Sequence, residues 1–465
     1  MADKKLEDMK KELLMQPKNG WDGLNPAEIE KIMSFSEGYK TFLDSSTTER
    51  EACARALELA EKNGLKQYAR GMKLKPGDKI YAINRARALV LAVIGKKDLE
   101  AGVNIIASHI DAPRLDLKPR PLYEEDELAF FKTHYYGGIK KYQWTALPLM
   151  LKGVAALRNG GQVTISVGDE KGDPVLTITD LLPHLAKDQY DKKLADAIPA
   201  ETLNVLIGSI PVTGEGSDRV KLAVMQLLNQ KYGLIERDLV SAELIIVPAL
   251  PTRDVGLDRS MVGGYGQDDR VCAFTSLEAI FSLKTPAKTA VCFLADKEEI
   301  GSEGVSGMQS HFFDTFITDL CESSGARIDI CFEGSACISA DVVNGHDPNY
   351  ADVSDRRNNA RMNYGLAIMK YSGSRGKSGT SDASAEFMEQ ICSMLDHAGI
   401  AWQTATLGKA DQGGGGTVAV YMARRNIGTI DAGVPVLSMH SPFEITSKLD
   451  IYRAFEGFSA FYRAE

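Results

Sequence analysis

The chain has 465 residues, 44% of them apolar and 25% charged, which allows one large α/β domain or two of ordinary size in a globular protein. Its net charge of −9, with no basic block, argues against nucleic acid as a partner. No apolar window reaches the roughly 18 residues of a membrane span, and the charged start "MADKKLEDMKKELL" reads as neither secretory signal nor transit peptide, so a cytoplasmic protein is expected.

In chain order, "NPAEIEKIMSFSEGYKTFLDSS" and "TEREACARALELAEKNG" carry apolar residues at helical spacing. Thr48 with Glu51 three residues on predicts a capping box, and Gly64 a stop. "DKIYAINRARALVLAVIG" and "AGVNIIASHIDAP" read as strands, the second apolar almost without interruption until His109, as suits a strand buried on both faces. From about Pro113 to Pro251 short strands and turn signals dominate, which predicts a β-rich module inserted into the first domain. From Leu257 helix and strand alternate again: "CAFTSLEAIFSL" (helix), "TAVCFLAD" and "ACISADVV" (strands), "ASAEFMEQICSMLDHAG" (helix), "NIGTIDAG" (strand) and a terminal helix. This alternation predicts a mostly parallel or mixed sheet covered on both faces.

The seven cysteines are scattered and form no C-x-x-C, so neither a disulfide framework nor a thiolate zinc site is expected. Chemistry concentrates instead where apolar strands end in acidic or imidazole groups. These places are "NIIASHIDAP" with His109 and Asp111, "GYGQDDRVCAF" with Asp268 and Asp269, "FLADKEEIGS" with Glu298 and Glu299, "ACISADVVNG" with Asp341, and "VPVLSMHSPFE" with His440. Each alone has an ordinary reading: a chance H-x-D, an acid-rich helix start, a solvated turn, a structural histidine. Together they are two histidines and several carboxylates at strand ends, where open α/β sheets bind ligands. That donor set suits zinc, cobalt or manganese. Two such metals bridged by a carboxylate would polarise a carbonyl and generate a hydroxide nucleophile, with a further carboxylate shuttling the proton.

"SHIDAPRLDLKP", the "DD" before a helix, "DKEEIGS", "SADVV…DPNY" and "MHSPFE" resemble, in order and spacing, the motifs of the aspartyl aminopeptidase family of dinuclear zinc exopeptidases, over nearly the whole chain. The resemblance implies a mixed-sheet α/β catalytic domain (1–112 and 253–465) interrupted by a β-rich dimerisation domain (113–252). It implies His109 and Asp341 on one ion, His440 on the other, Asp268 bridging, Glu299 as a further metal ligand, Asp111 orienting His109 and Glu298 as general base. For the substrate it implies Lys370, with Arg375 and Lys377 as cationic neighbours, Thr417 of "DQGGGGTVAVYM", and His184 of "LLPHLA" reaching a neighbouring subunit's site or serving a structural role. It implies two divalent ions, peptides with acidic N-terminal residues as substrates, and assembly through dimers into a tetrahedral dodecamer. The chain departs from the family's usual pattern in Asp269, where Asn is common, in "NGHDPNY", and in "RGKSGTSDAS". An amidohydrolase or deacylase using the same centre, and a non-catalytic protein keeping the fold, are the competing readings. The second would need a broken ligand set, whereas every expected ligand and the base are present.

Overall fold

A computed structural model describes residues 2–464. The framework is a nine-stranded mixed sheet, whose centre is four parallel strands: Thr289–Ala295, Val103–His109, Ala336–Ser339 and Gly428–Gly433. Their near-continuous apolar runs follow from burial on both faces. In Val103–His109, residues Val103, Ile105 and Ala107 join one core while Ile106 joins the other, and in Thr289–Ala295 odd and even positions divide in the same way. Helices Glu49–Lys62, Gln267–Phe281 and Lys448–Arg463 cover the Ile106 face, and Phe312–Ser324 covers the Val103–Ile105–Ala107 face. Asn104 faces the terminal helix and donates to the Phe461 carbonyl at 3.1 Å, so its polarity is satisfied inside the core.

Thr48 caps its helix through the reciprocal box with Glu51, and Gly64 follows the helix end with φ +82°. The expected single strand over 78–95 is instead a hairpin, Lys79–Asn84 with Ala88–Val93. Arg85 and Ala86 make its turn, both with left-handed φ, and Arg87 N–H closes it on the Asn84 carbonyl at 3.0 Å. Neither residue is a usual turn signal, which is why the hairpin is hidden in the sequence.

Between Val103–His109 and Thr289–Ala295 in sequence comes a separate six-stranded antiparallel sheet, ordered Gln162–Val167, Leu149–Ala156, Glu243–Pro248, Arg114–Glu125, Leu128–Tyr136 and Val205–Gly208. It has its own core around Trp144, Phe131, Leu151 and Ile246. A third sheet of five strands contains Met261–Gly264, Glu444–Ser447 and Pro435–Leu437. All seven cysteines are unpaired and buried. Among the described residues no helix is long and apolar enough to cross a membrane.

Candidate metal centre

Five chain segments bring the acidic and imidazole groups together. Val103–His109 ends its pairing at His109, and the backbone turns away through Ile110 and Asp111. Thr289–Ala295 stops one residue before the buried Asp296. Lys297 then takes a left-handed φ of 67°, and a single 3₁₀ turn, Glu298–Ile300, begins. Strand Ala336–Ser339 delivers Asp341 just beyond its end. The five-stranded sheet contributes Asp268, after Met261–Gly264, and His440, in the turn between Pro435–Leu437 and Glu444–Ser447. Gly266 starts the turn into Asp268 with φ +74°. A Cβ there would lie 1.6 Å from the Arg270 guanidinium, so a side chain would have to displace the buried Arg270 as well as adopt a left-handed φ, which favours glycine.

The imidazoles face opposite ends of one carboxylate. His109 Nε2 is 3.1 Å from Asp268 Oδ1, and His440 Nε2 is 3.1 Å from Asp268 Oδ2. Asp341 Oδ1 lies 3.7 Å and Glu298 Oε2 4.0 Å from His109 Nε2, while Glu299 Oε1 lies 3.4 Å from His440 Nε2. The other ring nitrogens are engaged from behind: His109 Nδ1 with the Asp111 carbonyl at 3.1 Å, and His440 Nδ1 with the Gly138 carbonyl at 2.8 Å. Each ring therefore turns its Nε2 to the cavity.

Asp111 does more than face His109. Its oxygens accept the backbone N–H groups of Glu298 at 3.1 Å and Glu299 at 3.2 Å, and the Tyr136 hydroxyl at 2.7 Å. The adjacent glutamates are thus anchored by their backbone, leaving both side chains free to project forward. Although burial alone would raise the Asp111 carboxyl, His109, Tyr136 and Arg114 hold it down at about 2. Burial pushes Glu298 up to about 8; His109 opposes this, and Asp341, Asp111 and Asp268 reinforce it. Burial and the neighbouring Asp268 likewise raise Glu299. Burial disfavours the charged form of His440, yet Asp268 and Glu299 raise it to about 11.

The cluster is therefore crowded with negative charge. Asp268 Oδ1 and Glu299 Oε1 are buried without a hydrogen-bond partner, facing the imidazole Nε2 atoms. One ligand atom from each of His109, Glu298 and Asp341 fits within 4.8 Å, and so does one from each of His109, Asp268 and Glu299. Orphaned carboxylate oxygens opposite imidazole nitrogens are what a divalent cation satisfies, so these residues fit a nitrogen–oxygen metal site.

A cavity of about 440 Å³ opens over the cluster, lined also by Met369, Gly414–Gly416, Thr417 and Tyr421. Thr417 is buried, and its Oγ1 donates to Asp431 Oδ1 at 2.7 Å. Lys370 is exposed at the end of strand Leu366–Met369 and does not line this cavity. Arg375 and Lys377 line an adjoining one of about 490 Å³, which shares Ser372, Leu407 and Gly414 with the first. His184 sits exposed on a short 3₁₀ turn of the inserted unit, outside the cavity of its own chain. A larger apolar cavity of about 530 Å³, within the inserted unit, holds no carboxylate or imidazole and is not the reactive one.

Sequence reasoning missed Glu444, Asp431, Tyr136 and Gly138. Glu444 stands within the "MHSPFE" motif and could have been singled out there; Tyr136 and Gly138 come from the inserted unit with no local signal.

Over residues 42–462 the chain matches the family model of aminopeptidase I zinc metalloproteases (M18). It is similar to a probable M18 family aminopeptidase 1 of Borreliella burgdorferi (strain ZS7), 48% identical over 457 residues that cover 97% of this chain and 100% of the relative. It is also similar to the crystal structure of an M18 family aminopeptidase from Thermotoga maritima, with TM-score 0.92 and 41% identity, covering 96% of this chain and 99% of that one. The aminopeptidase I crystal structure from Clostridium acetobutylicum matches with TM-score 0.91 and 44% identity, covering 97% and 100%.

Proposed function

Because the chain belongs to the M18 family of zinc metalloproteases, we propose that it removes N-terminal residues from peptides at the His109–Asp268–His440 cluster, holding two divalent ions, with Glu298 moving the proton. The protein is a metallopeptidase of the aminopeptidase kind. The observation that carries the detailed reading is Asp268, whose two oxygens each lie 3.1 Å from a different imidazole. In this reading His109 and Asp341 hold one ion, His440 and Glu299 the other, and Asp268 both. Bound there, zinc supplies Lewis acidity toward the scissile carbonyl and acidifies the attacking water.

The chain's own residues do the rest. Glu298 takes the water proton and returns it to the leaving amine. Its Oε2 stands 4.0 Å from His109 Nε2, within reach of a water held in the cluster. Asp111 fixes His109 and the Glu298–Glu299 backbone. Thr417 and the Gly414–Gly416 run line the wall where substrate lies.

A preference for acidic N-terminal residues is part of the proposal. Arg375 and Lys377 line the cavity adjoining the cluster; Lys370 belongs to the same segment but lines neither cavity. Lys377 already pairs with Asp382 at 2.8 Å, which leaves Arg375 the better candidate. We assign residues 113–252 to dimerisation, and the dimers to a dodecamer. The exposure of Leu181, Leu182, Leu185, Tyr190 and Leu194 around His184 supports a covered surface there.

The test is hydrolysis of Asp-, Glu-, Leu- and Lys-4-nitroanilides against N-acyl amino acids, after adding zinc, cobalt or manganese. Release from aminoacyl substrates, fastest for Asp or Glu, is expected. Release only from N-acyl amino acids would identify a deacylase instead. Glu298→Gln should keep its metal content and lose about 10²–10⁴-fold in kcat; near-normal turnover with metal bound would remove Glu298 from the role of base.

A further inference from the structure

The two imidazoles of the cluster are not held alike. The backbone N–H of His109 donates to Asp269 Oδ2 at 3.2 Å, a bond that touches one side of the site only. The backbone N–H of His440 donates to Glu444 Oε1 at 2.7 Å, and the second oxygen of the same carboxylate accepts the Asp268 backbone N–H at 3.1 Å. Glu444 therefore spans two chain segments that are remote in sequence, one carrying the shared carboxylate and the other an imidazole.

Three further facts make this link consequential. Glu444 is 1% exposed, and a carboxylate so deep is retained only where its oxygens are bonded. It opens strand Glu444–Ser447 directly opposite Gly264, whose strand leads into the Gly266 turn and Asp268. Gln267 ties the same place from its other side, donating to the Glu444 carbonyl at 2.6 Å and the Val262 carbonyl at 3.1 Å. His440 itself has φ 65°, a conformation a β-carbon-bearing residue adopts only when its surroundings hold it. The Glu444 bond to its N–H is such a hold.

We infer that Glu444 is a positioning residue for the His440-side ion, setting the separation of Asp268 from His440 without touching the ion. The inference rests on reading the cluster as a metal centre. On the His109 side, only the shared Asp268 depends on Glu444. On the His440 side, both Asp268 and the imidazole depend on it. Loss of the carboxylate should thus unbalance the two ions rather than weaken both equally.

Glu444→Gln separates these cases, because an amide of the same shape can accept only one of the two N–H groups and turns its own –NH₂ toward the other. Zinc titration of the metal-stripped protein by calorimetry, with the metal-free Tm measured in parallel, provides the readout. The expected result is one binding step weakened about 10–100-fold and the other changed less than about threefold. The weakened step should be the one that His440→Ala abolishes, while His109→Ala abolishes the other. Two steps indistinguishable from the parent would overturn the inference. Equal weakening of both steps alongside a fall in metal-free Tm would also overturn it, by reducing Glu444 to a general structural group. A parent protein that takes up no divalent ion would overturn the metal-centre reading itself. If Glu444→Gln does not yield folded protein, Glu444→Asp serves the same test, its carboxylate being one methylene too short to reach both N–H groups.

Discussion

Asp431 illustrates how a single buried acid leaves a signature in solution. It is 1% exposed, in the strand beside Ala336–Ser339, and burial pushes it up to about 7, opposed by the nearby Ser339 hydroxyl and by the Thr417 hydrogen bond. The unfolded chain releases this proton near pH 4 and the folded chain only near 7. Its stabilising contribution is thus full below about pH 4 and disappears as pH rises through 7. Asp431→Asn, which keeps an oxygen for the Thr417 hydroxyl, should flatten the fall in urea midpoint between pH 4 and 7; an unchanged slope would contradict the assignment. Such groups lie beyond the sequence's reach because their character depends on depth, not on neighbours along the chain. His109, Asp268, Glu298, Glu299, Asp341 and His440 were legible because each ends an apolar run, a local pattern, and the structure brings them together. Lys370, Arg375 and Lys377 lie within one short segment, and a resemblance in sequence has no means of saying which one faces a cavity.

At the scale of elements, strands and helices followed from period and caps wherever the burial pattern was clean. The parallel strands read well because burial on both faces leaves an apolar run that polar positions do not interrupt. The hairpin at 79–93 did not, since Arg85 and Ala86 provide none of the glycine or asparagine that marks such turns. That misfit has a measurable cost. With φ 54°, Ala86 sits where its β-carbon is disfavoured, so Ala86→Gly should stabilise the protein by about 0.5–1 kcal/mol net of the added chain entropy. Chemical denaturation at constant m-value would show this as a higher midpoint. The inserted sheet was anticipated as a change of texture, but its strand order pairs Glu243–Pro248 with strands some ninety and more residues earlier, which local reading cannot supply.

For the molecule as a whole, the centre lies between units rather than in one. The nine-stranded sheet supplies His109, Glu298, Glu299 and Asp341, and the five-stranded sheet Asp268 and His440. Metal should therefore staple them together. Zinc at a hundred times its dissociation constant should add about 2.7 kcal/mol to the metal-free protein, seen as a raised Tm that a chelator reverses. An unshifted Tm would argue that the ligands come together without gain. Sedimentation velocity at low and high protein concentration would report whether the apolar segment around His184 is covered by a second copy, and a monomer at every concentration would count against the dodecamer.

The Gly138 carbonyl, which turns the His440 ring, belongs to the inserted unit and precedes that histidine by 302 residues. On the ribosome, the receptor for the ring is consequently made long before the ring itself. A nascent chain carries His109 and the Gly138 carbonyl before His440 has been synthesised. The ring therefore finds its receptor only once the C-terminal segment has packed against the inserted unit.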